Sequence, residues 1–203
     1  MNDESYLDKV YDARDAESTR RLYDDWAASY EEELTHNGYA TPARCATALA
    51  AHMADLSVPI LDFGCGTGLS GLALHASGFT AIDGVDLSPD MLEVAREKDL
   101  YRRLDVIEAG ALLSQGGYGA ICAAGVIGAG AAPVSVFDTL MAALSPGGRL
   151  VFSFNDHALA EPEYEGKLDS YLDAGKAELL FREHGPHLPG IGLGATVFVI
   201  ART

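Results

Sequence analysis

The chain has 203 residues, 48% of them apolar and 22 of them glycine, which is enough for a full core and too apolar for a disordered chain. The formal net charge is −16, with acids spread along the chain, so DNA or RNA is disfavoured as a partner. No apolar run reaches membrane-spanning length, the acidic opening MNDESYLDKVYDARD is no secretory signal, and the three widely spaced cysteines fit a reduced, cytoplasmic protein.

Residues 16 to 34 are predicted helical, because Leu22, Tyr23, Trp26, Ala27, Tyr30 and Leu34 recur at helical spacing between acids. A second helix is predicted over 41 to 55, with Thr41 as cap and Pro42 in the first turn. The apolar run 58 to 63 reads as a strand, with its proline near the start. A helix over 69 to 77 ends at Gly78, and a strand covers 80 to 86. The next helix is capped by Ser88 and opened by Pro89, with Asp90 at the positive end of its dipole. Strands follow at 104 to 108 and 118 to 124, then an amphipathic helix over 136 to 144 closed by Ser145-Pro146-Gly147-Gly148, then a strand at 149 to 154. This alternation predicts a parallel sheet covered by helices on both faces. It breaks at the end, where AELLFRE and GATVFVIAR are joined only by the loop EHGPHLPGIGL and should pair antiparallel.

The stretch DFGCGTGLSG, 62 to 71, brings a backbone close to a ligand. GTGLSG matches the dinucleotide fingerprint, and Asp86 lies near the distance expected for gripping a ribose. Three features oppose a nicotinamide cofactor. Asp62 puts a carboxylate at the strand end, better suited to a cationic amino group than to a pyrophosphate. About sixty residues precede the motif, and the chain ends in an antiparallel pair.

DFGCGTG resembles the first motif of class I S-adenosylmethionine-dependent methyltransferases, GVDLSPDML their second, and LSPGGRLVFSF the turn and strand near the end of their core. LYDDWAASYEEEL and EKDLYRRLDVIEAG resemble the branch that includes the Williams–Beuren syndrome region methyltransferases. The resemblance implies a Rossmann-like α/β fold, with a seven-stranded mostly parallel sheet, an antiparallel C-terminal hairpin and an N-terminal helical cap. The expected organisation is one domain, 1–203, made of a cap (1–55) and a core (56–203).

S-adenosylmethionine is the expected cofactor. Gly64, Gly66 and Gly68 leave bare backbone for it, and the helix N-terminus beyond them offers N–H groups to its carboxylate. Asp62 is expected near its amino group, and Asp86 on the ribose hydroxyls. Leu87 and Met91 can pack on the adenine, although Met91 equally suits plain core. Glu108 is the closest match to the group that meets the adenine amino group, with Gly110-Ala111 an alternative. Cys65 reads as a small filler within the cradle, and Gly125, Val126 and Ile127 follow the fourth strand, where the superfamily touches cofactor and substrate.

The protein mainly aligns donor and acceptor in such a transfer, so no conspicuous catalytic group is required. The acceptor is expected to be a small molecule, held beyond the fourth and fifth strands near Asn155 and Asp156. Tyr23, Trp26 and Tyr30 can form its lid or merely pack. His157 is a possible base or a solvated loop residue, and the small residues of GVIGAGAAP leave room for the acceptor. His184 and His187 have metal-pair spacing but no matching third ligand, so no metal is expected. The competing functions are an NAD-type oxidoreductase on a related fold and a non-catalytic cofactor-binding protein.

Overall fold

The computed structural model describes residues 6, 16–128 and 131–203. The rest of the acidic opening, and Ala129 with Gly130 in the small-residue run, lie outside the described residues.

Seven strands form one sheet: β1 (Ile60–Phe63), β2 (Ile82–Asp86), β3 (Arg103–Val106), β4 (Tyr118–Ala123), β5 (Leu144–Asn155), β6 (Ala177–Leu188) and β7 (Leu193–Arg202). Their order is β3-β2-β1-β4-β5-β7-β6. The first five strands pair parallel, and β7 inserts antiparallel between β5 and β6. The expected mostly parallel sheet with an antiparallel C-terminal hairpin is therefore the observed one.

Side-chain alternation divides the sheet into two apolar faces. Leu61, Ile121, Phe152 and Phe198 point to one, against helix α6 (Val136–Ala143) and helix α8 (Pro162–Asp173). Ile60, Cys122, Val151 and Val199 point to the other, against α3 (Thr41–Ala51) and α4 (Leu69–Ala76). Helix α5 (Pro89–Arg96) follows β2 and begins as expected, with Ser88 accepting the Met91 N–H at 3.1 Å. Short helix α7 (Asp156–Leu159) leaves β5 and is capped by Asn155, whose Oδ1 accepts the Ala158 N–H.

Several local expectations change. The helix expected over 16 to 34 is two, α1 (Ala16–Trp26) and α2 (Tyr30–His36). The break lets the Tyr30 ring meet Trp26 edge-on, centroids 4.7 Å apart, while the indole N–H donates to Glu33. Helix α3 stops at Ala51, and its cap is Ala40 rather than Thr41. Thr41 is fully buried, and its hydroxyl is engaged with His187 Nδ1 at 2.7 Å. Strand β3 ends at Val106, leaving Glu108 beyond it. Strand β5 runs through the Ser-Pro-Gly-Gly turn as a bulge, so Leu144 already pairs with Tyr118. The long C-terminal loop shrinks to a single 3₁₀ turn, Pro189–Ile191, because β6 absorbs HGPHL. As an edge strand, β6 tolerates Pro186 without losing an inward donor.

Candidate cofactor and acceptor site

The strand order reverses between β1 and β4, and the expected residues converge at the C-terminal ends of the strands there. Gly64 leaves β1 at φ +67°, and a Cβ on it would lie 2.6 Å from Val126 Cγ2. Val126 of the loop after β4 therefore packs directly on Gly64. Gly66, at φ +52°, has nothing within 4 Å of such a Cβ, so it borders open space. Its N–H donates to Asp86 Oδ2 at 2.8 Å, while Asp86 Oδ1 accepts from Ser88 N–H at 2.9 Å. Both Asp86 oxygens are thus oriented by backbone, each retaining a second lone pair for a ligand hydroxyl. Burial, offset in part by these amide bonds, raises the Asp86 pKa.

Asp62 is fully buried. Its Oδ2 accepts from Ser70 Oγ and Tyr101 Oη, each at 2.7 Å, and its Oδ1 has no partner among the described residues. Desolvation pushes its pKa up to about 6, against the two hydroxyl bonds that favour the charge. A buried, unpartnered carboxylate oxygen beside an open glycine turn is a good receptor for an ammonium donor and a poor one for a diphosphate. The residues present therefore fit an amino-acid-bearing nucleoside. Thr67, between two of the glycines, adds a second buried oxygen lacking a partner among the described residues.

Tyr101 was given no individual role by sequence reasoning. Its ring enters a slot that two glycines leave open. A Cβ on Gly71 would lie 2.1 Å from the Tyr101 hydroxyl, and one on Gly84 2.9 Å from its ring. The last glycine of the fingerprint thus makes room for a tyrosine, which sequence spacing alone cannot distinguish from making room for a phosphate.

The remaining cofactor positions scatter in character. Leu87 is half-buried just past β2. Met91 is 1% exposed and lies in a cluster with Trp26, Leu34 and Leu188. Glu108 is exposed, with its carbonyl closing a turn onto Ala111 N–H. Cys65 is buried against Gly84, and burial raises its thiol pKa, leaving a filler rather than a nucleophile.

A ring-lined cavity lies beside the glycine turn, with Gly125 in its wall. The rings of Tyr23, Trp26, Tyr30 and Tyr39 wall it from the cap, and Gly125, Ile127 and Gly128 from the loop after β4. Ser153 and Asn155 at the end of β5, with His187 and Leu188 on β6, complete it. Ser153 Oγ accepts the Gly125 N–H at 2.9 Å, which fixes Gly125 in the cavity wall. His157 is exposed on α7 and is not part of this lining. Asp156 holds His184 Nε2 at 2.9 Å and the Gly194 N–H at 2.7 Å, so it clamps the C-terminal hairpin. His184 and His187 thus engage different partners, Asp156 and Thr41. Tyr39 and His187 lining the cavity were not foreseen, since both depend on the tertiary approach of α3 to β6.

Residues 19–192 match the methyltransferase domain family. Human methyltransferase-like protein 27 is 32% identical over 157 residues, or 75% of this chain, and the chain spans 63% of that relative's length. The Burkholderia thailandensis 1,6-didemethyltoxoflavin-N1-methyltransferase, solved with its substrate and S-adenosylhomocysteine, superposes with a TM-score of 0.66 at 21% identity, covering 94% of this chain and 91% of that one. The [4+2]-cyclase SpnF superposes with a TM-score of 0.67 at 18% identity, covering 94% and 97%. These two structures share the fold. With the family match over most of its length and the motifs in order, the chain belongs to the class I S-adenosylmethionine-dependent methyltransferases.

Proposed function

We propose that this protein transfers a methyl group from S-adenosylmethionine to a small-molecule acceptor held in the aromatic compartment. One observation carries the reading: a glycine turn open at Gly66, with a buried, unpartnered Asp62 oxygen at the end of β1, lies beside a ring-lined cavity that includes Gly125. The first compartment suits a cationic amino acid end, with Asp62 meeting the ammonium and Asp86 the ribose. Gly66 borders the ligand with backbone alone, Gly64 and Gly68 shape the turn against Val126, Lys98 and Tyr101, Leu87 supports the adenine, and Glu108 lies on the same rim. When bound, the cofactor supplies a methyl group already activated on a sulfonium. The chain's own contribution is alignment of an acceptor and exclusion of water.

The oxidoreductase alternative fits less well. The Gly66 N–H is committed to Asp86, and a buried carboxylate at Asp62 opposes a diphosphate. No helix among the described residues is long and apolar enough to cross a membrane. The net charge of −16 disfavours a nucleic acid partner, and we place the protein in the cytoplasm as one functional unit of cap and core. Lys98–Glu31 and Ser88–Asp24 bonds tie α1 and α2 to the core and support that unity.

Calorimetry with S-adenosylhomocysteine beside fluorescence titration with NADH tests the cofactor. Binding of the first and not the second is expected. Tritium transfer from labelled S-adenosylmethionine into the small-molecule fraction of a cell extract tests the reaction. Binding without transfer to any fraction marks a non-catalytic binder, and transfer confined to macromolecules overturns the acceptor class.

A further inference from the structure

We propose that His187, held by Thr41 on the wall of the aromatic cavity, takes the acceptor's proton, and that the acceptor is an uncharged flat ring bearing an acidic O–H or N–H. This rests on reading that cavity as the acceptor pocket. His187 is 7% exposed and fixed at three points. Its Nδ1 lies 2.7 Å from Thr41 Oγ1, its carbonyl accepts the Ala40 N–H at 3.0 Å, and the Tyr39 ring meets it edge-on at 5.3 Å. Its Nε2 has no hydrogen-bond partner among the described residues. The same side chain lines the cavity, and its Cε1 lies 3.9 Å from where a Gly125 Cβ would stand. A nearly buried imidazole with one nitrogen anchored and the other unpartnered is a positioned proton acceptor.

The lining settles the acceptor's character. Among the described residues no Asp, Glu, Lys or Arg lines the cavity, so a charged acceptor would lose its hydration without compensation. The four aromatic walls favour a flat molecule. Tyr30 and Tyr39 cannot serve as bases, since burial raises both phenols and keeps them protonated. Burial pushes the His187 pKa down to about 4, with Arg44 and His157 acting in the same direction and Asp156 against them. The imidazole is therefore neutral, with a lone pair to offer when Nδ1–H donates to Thr41, and weakly basic, which restricts it to acceptors whose O–H or N–H is itself acidic.

In the step, the acceptor's O–H or N–H bond breaks and its proton passes to His187 Nε2. The electron pair left behind forms the bond to the methyl carbon, while the carbon–sulfur pair returns to sulfur as the thioether. The imidazolium then releases its proton to water.

The test uses the full chain with a panel of uncharged phenols and N-heterocycles beside primary amines and choline. The wild type should methylate a phenol or heterocycle and no amine. His187→Gln, which can still bond to Thr41, should lower kcat by about 100-fold with little change in KM. Added imidazole should partly rescue His187→Ala. Nitrogen NMR of the free protein should show His187 as the Nδ1–H tautomer, and His187→Gln should bind S-adenosylhomocysteine within about twofold of wild type, since the assigned role lies in the acceptor compartment. If the wild type fails to bind S-adenosylhomocysteine, the underlying functional reading falls. If it binds but turns over only amines or nothing in the panel, or if His187→Gln keeps its kcat, the assignment of His187 falls.

Discussion

Tyr101 helps to set the charge state of Asp62, and through it the pH range over which the proposed cofactor site can work. Tyr101 donates to the oxygen of Asp62 that Ser70 also meets, and both bonds favour the carboxylate over the acid. An ammonium ligand requires that charge, so S-adenosylhomocysteine affinity should weaken as pH falls below about 6. Asp86 faces the same carboxylate and opposes its ionisation, while the nearby Cys45, Cys65 and Cys122 thiols, raised by burial, stay neutral. Tyr101→Phe removes one stabilising donor and raises the Asp62 pKa further. Calorimetric titrations across the pH range should then show the variant losing affinity at a higher pH than wild type, whereas a purely structural loss would weaken binding equally at every pH. Gly71→Ala drives a Cβ into the Tyr101 hydroxyl, and the overpacking should cost about 1–3 kcal/mol in urea unfolding. His187 gives a second pH signature. Its folded pKa, about 4, lies below the unfolded value of 6.5, so its contribution is complete above 6.5 and is lost as pH falls toward 4. Asp62 runs oppositely, because its raised pKa makes folding less favourable as pH climbs from 3.8 to about 6. His187→Gln should therefore lose less stability than wild type on acidification, by up to about 3 kcal/mol, read from urea midpoints at neutral and acid pH.

At the level of elements, the cap is the least self-sufficient part of the fold. Helices α1 and α2 have 11 and 7 residues, too short to persist without tertiary contacts. Their anchor is Trp26, 2% exposed, with the rings of Tyr6, Tyr23 and Tyr30 against it and Met91 in the same cluster. Trp26→Ala should speed proteolysis and amide exchange across residues 16–36 while leaving β1, β4 and β5 protected. The break between these helices was hidden in the sequence, because Ala27-Ala28-Ser29 is compatible with helix and only the meeting of Trp26 with Tyr30 requires the turn. By contrast, β1 to α5 was readable to within about two residues at each boundary, since glycine at positive φ and the Ser88 cap act locally. Helix α8 went unassigned although Tyr164, Leu168, Tyr171 and Leu172 carry a helical repeat, with Gly166 weakening the pattern. The glycine turn was likewise legible, while the placements of Tyr101 and His187 were not, because each reaches its partner across 39 or more residues of chain.

On the scale of the whole molecule, a net charge of −16 means that the folded state works against its own repulsion. The thermal midpoint should rise by a few degrees between about 10 mM and about 150 mM sodium chloride, as screening shortens the reach of that repulsion. A midpoint insensitive to salt would show the acids to be locally compensated. Arg44 works against the same repulsion from inside. Its guanidinium donates to the carbonyls of Glu183, Pro186 and Ala195, joining α3 to both strands of the hairpin that carries His187. The single tryptophan of the chain sits where the cap, the Met91 cluster and the aromatic cavity meet. The protein consequently carries an intrinsic fluorophore in the wall of its cavity. If small molecules enter that cavity, the fluorophore's emission colour and quenching should record it without a label and without background from a second indole.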